Sequence, residues 1–259
     1  MPNQLKLAVA AASVLAGCGG GTTDTGVPST SQVSLDAATT ASAIITSEVS
    51  RMVSPSGVAL RGSPGSADPT LGCTFDSGNF VCGVTIAGGL AGTTIVTLFT
   101  ATGTPESAWD SLQTASIQFQ TDVAGRTAVG AWDAVVGRHR HLTESGLLGA
   151  ETTRTWNGGG TDTLQVVDST GGPTRSYTVF SDVSITDVVA PAAGSDAHWP
   201  ASGTVVQQLT LQATSGESTG LTFHLQASVT FNGTPIVPLI VGDHSFSLNL
   251  ATGVVAQTD

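Results

Sequence analysis

The sequence predicts a mainly β protein, a large antiparallel meander sheet that curves like a half-barrel around one N-terminal helix. Three observations support this class. Charged residues make up only 10% of the chain, against roughly 25% in an average domain, and Gly, Ser and Thr take their place. Several segments alternate apolar and polar residues with a period of two, and turn sequences separate them. Only one stretch has helical spacing. A β-sandwich with the helix packed outside is the alternative.

The helical stretch comes first and is predicted over about residues 35–53. Ser34 or Asp36 is suited to the N-cap position, and Pro55 ends the pattern. A loop rich in Gly, Pro and Ser follows, from Ser54 to Pro69. The small and apolar residues that recur at intervals of three and four are Leu35, Ala38, Ser42, Ile45, Val49 and Met52.

Alternating strands are predicted through the rest of the chain. Turn signals lie at 157–158, 171–172, 216–220 and 232–233. Pro235 and Pro238 cannot donate a ladder hydrogen bond, so the strand after the last turn is predicted to be an edge strand. The apolar phases of the clearest strands are Leu221-Phe223-Leu225-Ala227-Val229-Phe231, Val205-Gln207-Leu209-Leu211, Tyr177-Val179, Val183-Ile185, Ile117-Phe119 and His244-Phe246-Leu248-Leu250.

Cys73 and Cys82 flank a predicted two-residue hairpin that turns on Ser77-Gly78. That turn pairs residue 75 with 80 and residue 73 with 82, both on the closer, non-hydrogen-bonded rungs. The two cysteines then fall near the short end of the Cα separations that a disulfide accepts. We therefore predict a cross-strand disulfide that acts as a structural staple, in an oxidising compartment.

The first eighteen residues have the pattern of an export signal. A short segment containing Lys6 precedes an apolar run of about ten residues, roughly half of what a bilayer-spanning helix needs. The run ends in Leu15-Ala16-Gly17-Cys18, which resembles the lipobox of bacterial lipoprotein signal peptides.

The lipobox resemblance implies that residues 1–17 are removed and that Cys18 is lipidated. The acyl chains would then anchor the protein to a membrane of the cell envelope. Gly19 follows in place of the Asp that commonly retains such proteins at the inner membrane, which favours the outer membrane in a Gram-negative organism. We expect residues 18–33 to be a flexible tether and residues 34–259 to form a single domain.

The charge balance excludes one class of partner. The formal net charge is −11, so the chain repels the phosphate backbone of nucleic acids. Membrane attachment is therefore expected through the lipid and not through a basic surface.

Two motifs typical of binding or catalysis are better explained structurally. Residues 216–220 match the G-x-S-x-G nucleophile elbow, but they join two alternating strands and so form a hairpin turn. The four tryptophans, Trp109, Trp132, Trp156 and Trp199, do not cluster in sequence, and core or rim positions suit them better than a sugar-stacking platform.

His139, His141 and Glu144 are the weak candidates for a metal site. The segment Arg138-His139-Arg140-His141 places both imidazoles on one face of a strand, where they can share a cation. The start resembles a cupin metal motif, but the spacing to Glu144 is too short and no second half-motif follows. A solvated strand with a local basic patch is the preferred interpretation, and no metal or other cofactor is expected.

These observations favour a non-catalytic binding module of the cell envelope, with a hydrophobic small molecule or lipid as its ligand. The predicted architecture is similar to that of the half-barrel lipoprotein carriers of bacterial envelopes. The alternative is a structural lipoprotein that displays the polar face of its sheet to a protein partner. A metal-dependent enzyme is the least favoured class. A cavity in the fold favours the carrier, whereas a fully packed core favours the display protein.

Overall fold

The computed structural model describes residues 30–53, 73–86, 89–129, 131–149, 151–169, 173–192, 195 and 197–258. It contains one helix and thirteen strands. The helix is α1 (Thr30–Val53), and the strands are β1 (Cys73–Asp76), β2 (Asn79–Ile86), β3 (Leu90–Thr100), β4 (Pro105–Glu106), β5 (Thr114–Val129), β6 (Trp132–Ser145), β7 (Thr153–Asp168), β8 (Arg175–Pro191), β9 (Ser202–Ser215), β10 (Thr222–Thr230), β11 (Ile236–Val241), β12 (His244–Asn249) and β13 (Val255–Gln257).

All the strands belong to one antiparallel sheet, in which each strand pairs with its neighbour in the chain. The exception is the short β4, which pairs with β3 beside the main path, so that β3 also pairs with β5. The sheet is not closed, and β1 and β13 stand at its two ends. The predicted meander is confirmed, and the sandwich alternative is wrong because the strands form a single sheet.

The sheet curves around α1. Ser42 donates a hydrogen bond to the Gly253 carbonyl, just before β13, while Arg138 on β6 donates one to Ser47. Seven inter-strand steps separate β6 from β13, which is about 34 Å in a flat sheet. A helix with its side chains is only ~10–12 Å wide. Both strands can reach the same helix only because the sheet is curved.

The helix begins earlier than the sequence predicts, at Thr30, so residues 30–33 are helical and not part of a tether. Ser34 and Asp36 lie inside the helix, and Asp36 bonds to the sheet instead of capping. The end at Val53 agrees with the predicted end. Of the described side chains of α1, only that of Ser50 is exposed. The single apolar stripe in the sequence predicts that one side of the helix is buried, whereas the curved sheet buries nearly all of its described side chains.

Two predicted features of the strands are wrong. Asn157-Gly158 is not a turn but a bulge inside β7. Gly158 has φ 131°, and a Cβ there would lie 2.2 Å from the His141 carbonyl oxygen, so this glycine permits a close approach of two strands.

The strand after Asn232-Gly233 is not an edge, since β11 pairs with both β10 and β12. Pro238 lies opposite Ser247 of β12, and the pairing with β10 ends at the adjacent Leu239. In a two-residue hairpin this rung with β12 is non-hydrogen-bonded. The missing N–H of Pro238 is therefore not needed by either neighbouring strand.

The residues before Thr30 and residues 54–72 lie outside the described part of the chain. This includes the predicted signal peptide, Cys18, most of the predicted tether, and the loop from Ser54 to Pro69. The predicted turn at Gly171-Gly172 also lies outside it. The predicted turns at 216–220 and 232–233 join β9 to β10 and β10 to β11.

Candidate functional site

A cavity of about 1030 Å³ lies between the C-terminal half of α1 and the concave face of the sheet. This volume is at the upper end of the range for small-molecule sites. The walls come from α1, from the β1–β2 hairpin, from β3, β5, β6 and β7, and from the turn before β13. Apolar side chains predominate in the lining, among them Ile44, Val49, Val84, Leu90, Val96, Phe119, Trp132, Val136, Leu164 and Leu250.

The cavity changes character along β6. Trp132, Val136 and Arg138 all line it, and six residues of antiparallel strand span about 20 Å. Leu90 and Leu164 lie level with Val136 in the sheet register, between Trp132 and Arg138, whereas Glu48, Ser47 and Thr121 line the cavity beside Arg138 and Arg140. The space is thus elongated, and we call its charged region around Glu48 and Arg138 the polar end.

The polar end is built on a buried ion cluster. Arg138 Nε donates to Asp162 at 2.7 Å, and Arg140 donates to Glu48 at 2.8 Å and to the second Asp162 oxygen at 2.5 Å. Arg138 also lies 3.4 Å from Glu48 and donates to Ser47. The two arginines of β6, Asp162 of β7 and Glu48 of the helix therefore form one cluster of buried charged side chains.

Arg51 adds a third cation beside this cluster. Its guanidinium lies 5.2 Å from the centroid of the Phe119 ring, over the ring face, and donates to the Thr121 hydroxyl at 3.1 Å. Thr121 is also hydrogen-bonded to Thr94 at 2.9 Å. The cation–π contact and the hydroxyl pair hold the guanidinium at the wall formed by β3 and β5.

The directions of the pKa shifts show which of these groups act on one another. Burial alone would raise the pKa of Glu48, but Arg140, Arg138 and Arg51 outweigh it, and the pKa is lowered. Burial would likewise lower the pKa of Arg140, but Glu48 and Asp162 raise it. Burial lowers the pKa of Arg51, and the nearby Glu48 offsets this only in part. The guanidiniums of Arg140 and Arg138 lower the pKa of Arg51 further.

Two polar atoms at the cavity are buried without a hydrogen-bond partner among the described residues. They are the indole Nε1 of Trp132 and the Oε2 of Glu48. Buried polar groups are nearly always hydrogen-bonded in folded proteins.

A second charged cluster fixes the other end of the helix. Asp36 accepts two hydrogen bonds from Arg175, at 2.8 and 3.0 Å, and one from the Tyr177 hydroxyl at 2.6 Å. Burial and the hydrogen bond to Asp36 raise the pKa of Tyr177. None of these residues lines the cavity, so this cluster serves to hold α1 against β8.

The disulfide between Cys73 and Cys82 is confirmed, with an S–S distance of 2.06 Å and a Cα separation of 4.0 Å. The predicted register is also found, with Phe75 opposite Phe80 and a turn at Ser77-Gly78. Both cysteines line the cavity. The staple thus fixes the hairpin that forms one wall of the site.

The structure does not bring His139, His141 and Glu144 together. The two histidines are exposed on the convex face, where His139 Nδ1 lies 2.6 Å from Asp122, while Glu144 is buried on the concave face beside Arg154. In the described part of the chain, no group of three or more His, Cys, Asp and Glu side chains is placed to hold a metal.

The predicted basic patch is wrong as well. Arg138 and Arg140 are 8% and 0% exposed, because strand alternation turns them to the concave face when the histidines face outward. Ser218 of the G-x-S-x-G match lies in the β9–β10 turn. Trp132 and Trp156 are core residues, and Trp109 and Trp199 pack against the same core.

The ion cluster is not among the features predicted above, although the sequence contains a signal for it. Arg138 and Arg140 stand at positions of β6 where Trp132, Ala134, Val136 and Leu142 are buried, and Asp162 interrupts the apolar phase of β7 in the same way. Charged residues of opposite sign in the apolar phase of adjacent strands predict a buried pair, since an isolated buried charge is very costly.

No protein-family model, curated protein or solved structure matches the chain. Within the described ranges, no helix has the length and apolar character needed to cross a membrane. The cavity and its walls are therefore the features from which a function is inferred.

Proposed function

We propose that the protein is a non-catalytic binding module of the cell envelope that holds a hydrophobic or amphipathic small molecule between its helix and its sheet. Attachment to the membrane through lipid on Cys18 is part of the proposal. The cavity is the observation that supports it most directly, because a packed interior of this fold would leave no such space. Its elongated, mainly apolar lining suits a chain-like hydrophobe.

The test uses two neighbouring valines that face opposite sides of β6. Val136 is 3% exposed and lines the cavity, while Val135 is 50% exposed on the convex face. We expect Val136→Trp to narrow the cavity midway along its length and to weaken binding of hexadecanol at least tenfold. Val135→Trp should bind like the unaltered protein, because its side chain lies outside.

The protein for this test is the chain from Gly19 onward, secreted into an oxidising periplasm behind a cleavable signal peptide. Native mass spectrometry should show an additional mass that organic extraction removes and that added hexadecanol restores. Absence of any adduct from the unaltered protein, before and after addition of hexadecanol, would overturn the proposal. The display of the convex polar face to a protein partner would then be the better hypothesis.

A further inference from the structure

We propose that the ligand is an anionic amphiphile, an acyl chain with a carboxylate or phosphate headgroup. The headgroup lies at the polar end of the cavity against Arg51 and Arg138, and the chain extends toward Trp132. This inference rests on the proposed function and names the class of molecule that the same cavity takes.

The local charge at the polar end favours an anionic headgroup. The chain as a whole carries a net charge of −11 and has only 7 arginines. Three of them, Arg51, Arg138 and Arg140, act on the single carboxylate of Glu48, and Asp162 is the other acid that Arg138 and Arg140 contact. A further pair, Glu144 with Arg154, adds no net charge. Among the described residues, the polar end therefore holds three arginines and two carboxylates.

The net negative charge of the protein does not cancel this local excess. Exposed charges are screened over about 8 Å at physiological ionic strength, whereas buried ones are screened much less. The arginines at the cavity are at least mostly buried, and Arg138 and Arg140 are nearly inaccessible. A headgroup inside the cavity therefore experiences the field of these arginines more strongly than that of the acidic exterior.

The hydrogen-bond donors at the polar end are of the type that binds anions. Guanidinium groups bind carboxylate and phosphate oxygens with strong, charge-assisted hydrogen bonds. Arg51 is positioned by Phe119 and Thr121, and Arg138 by Asp162 and Ser47. Guanidiniums that are held in place lose little side-chain freedom when an anion binds.

The length of the cavity between Arg138 and Trp132 suits an acyl chain. The distance of about 20 Å from Arg138 to Trp132 compares with ~15 Å for an acyl chain, which spans half of the ~30 Å hydrocarbon core of a bilayer. The wall along this path includes Leu90, Val136 and Leu164. A cationic amphiphile would fit the same length, but it would meet the excess of positive charge.

The test compares palmitate, hexadecyl phosphate and hexadecanol, which share a chain length and differ in the headgroup. Affinities are measured at pH 8 by calorimetry on the delipidated chain from Gly19 onward. We expect at least one of the two anions to bind ten times more tightly than the alcohol, and the tighter one identifies the headgroup. Arg51→Met should remove this preference, and Arg51→Lys should restore part of it.

Arg126→Met is the matched control, because it removes the same charge from the convex face, where Arg126 pairs with Asp133. It should leave the preference intact. Equal affinities for the alcohol and both anions in the unaltered protein would overturn this inference and leave the proposed function standing. A preference that persists in Arg51→Met, with a thermal transition like that of the unaltered protein, would also overturn it. Absence of binding by all three compounds would overturn both proposals.

Discussion

The two halves of α1 have different surroundings. Toward its N-terminus the helix packs directly on the sheet, and Asp36 binds Arg175 and Tyr177 of β8. Toward its C-terminus, from about Ser42 to Val53, one side of the helix faces the cavity. There it is connected to β6 mainly through Glu48 and two buried arginines.

The comparison shows that one helix can both fill a core and form the wall of a cavity. In the N-terminal half, apolar packing and a hydrogen-bonded carboxylate hold the helix. In the C-terminal half, ion pairs to β6 and the contacts of Arg51 with β5 hold the helix, and the cavity lies between them. A buried ion cluster is weak evidence for stability, so its role here is better understood as fixing the position of the helix.

The largest expected effect is on the cluster of the C-terminal half. Asp162→Asn removes the carboxylate that accepts hydrogen bonds from both Arg138 and Arg140. Two buried guanidiniums are then left with Glu48 alone, which should lower the free energy of unfolding by about 3–5 kcal/mol. Urea denaturation measures this loss.

Asp36→Asn tests the other half of the helix by the same measurement. Its partner Arg175 has partial access to water, with 12% of its side chain exposed, so we expect a smaller loss, about 1.5–3 kcal/mol. Asp133→Asn on the convex face is the control and should cost under ~1 kcal/mol. If Asp36→Asn were the more destabilising of the two helix-linked variants, the assigned division of roles would be wrong.

A matched pair of leucines tests the packing difference. Leu211 on β9 is fully buried where the sheet is packed, and Leu90 lines the cavity. Leu211→Ala creates a new void and should cost about 3–4 kcal/mol, whereas Leu90→Ala only enlarges an existing space and should cost closer to 2 kcal/mol. Equal losses for the two variants would contradict the view that β3 faces a cavity. Thermal or urea unfolding gives both values.

The smallest expected effect is at alkaline pH and concerns the cluster of the N-terminal half. Burial and Asp36 raise the pKa of Tyr177 above its usual value of 10.0. The folded state thus holds this proton more tightly than the unfolded state does. The stability it contributes is complete below pH 10 and decreases as the pH rises beyond that value.

Tyr177 is the only tyrosine of the chain, so phenolate absorbance reports on this group alone. We expect no phenolate signal at pH 10–11 until the protein unfolds, and a flatter alkaline stability profile in Tyr177→Phe. Ionisation near pH 10 in the folded protein would show that Asp36 and Tyr177 are not hydrogen-bonded.

Much of the fold follows from local patterns. The alternation in β9 and β12 predicts which side chains face inward, and the hairpin at Ser77-Gly78 predicts the register that joins Cys73 to Cys82. Both features depend on residues close together in the chain. The cavity does not, because its walls come from segments as distant as Ile44 and Leu250.

The errors have the same origin. The sequence predicts a solvated strand for Arg138 and Arg140 because charged residues are usually exposed, but Glu48 on the helix and Asp162 on β7 make their burial tolerable. Asn157-Gly158 has the sequence of a turn, but the close approach of β6 at this point uses the glycine in a bulge. Tertiary contacts decided each case, and these cannot be read from a single segment.

The contact between Ser42 and Gly253 joins residues 211 positions apart, and it sets an order for the maturation of the chain. The helix is synthesised first, yet strands that cover it are synthesised last. Until β12 and β13 have emerged, its apolar side chains lack their final cover and offer a surface to chaperones. A chain truncated before β12 should therefore bind chaperones, even when its first eleven strands have formed.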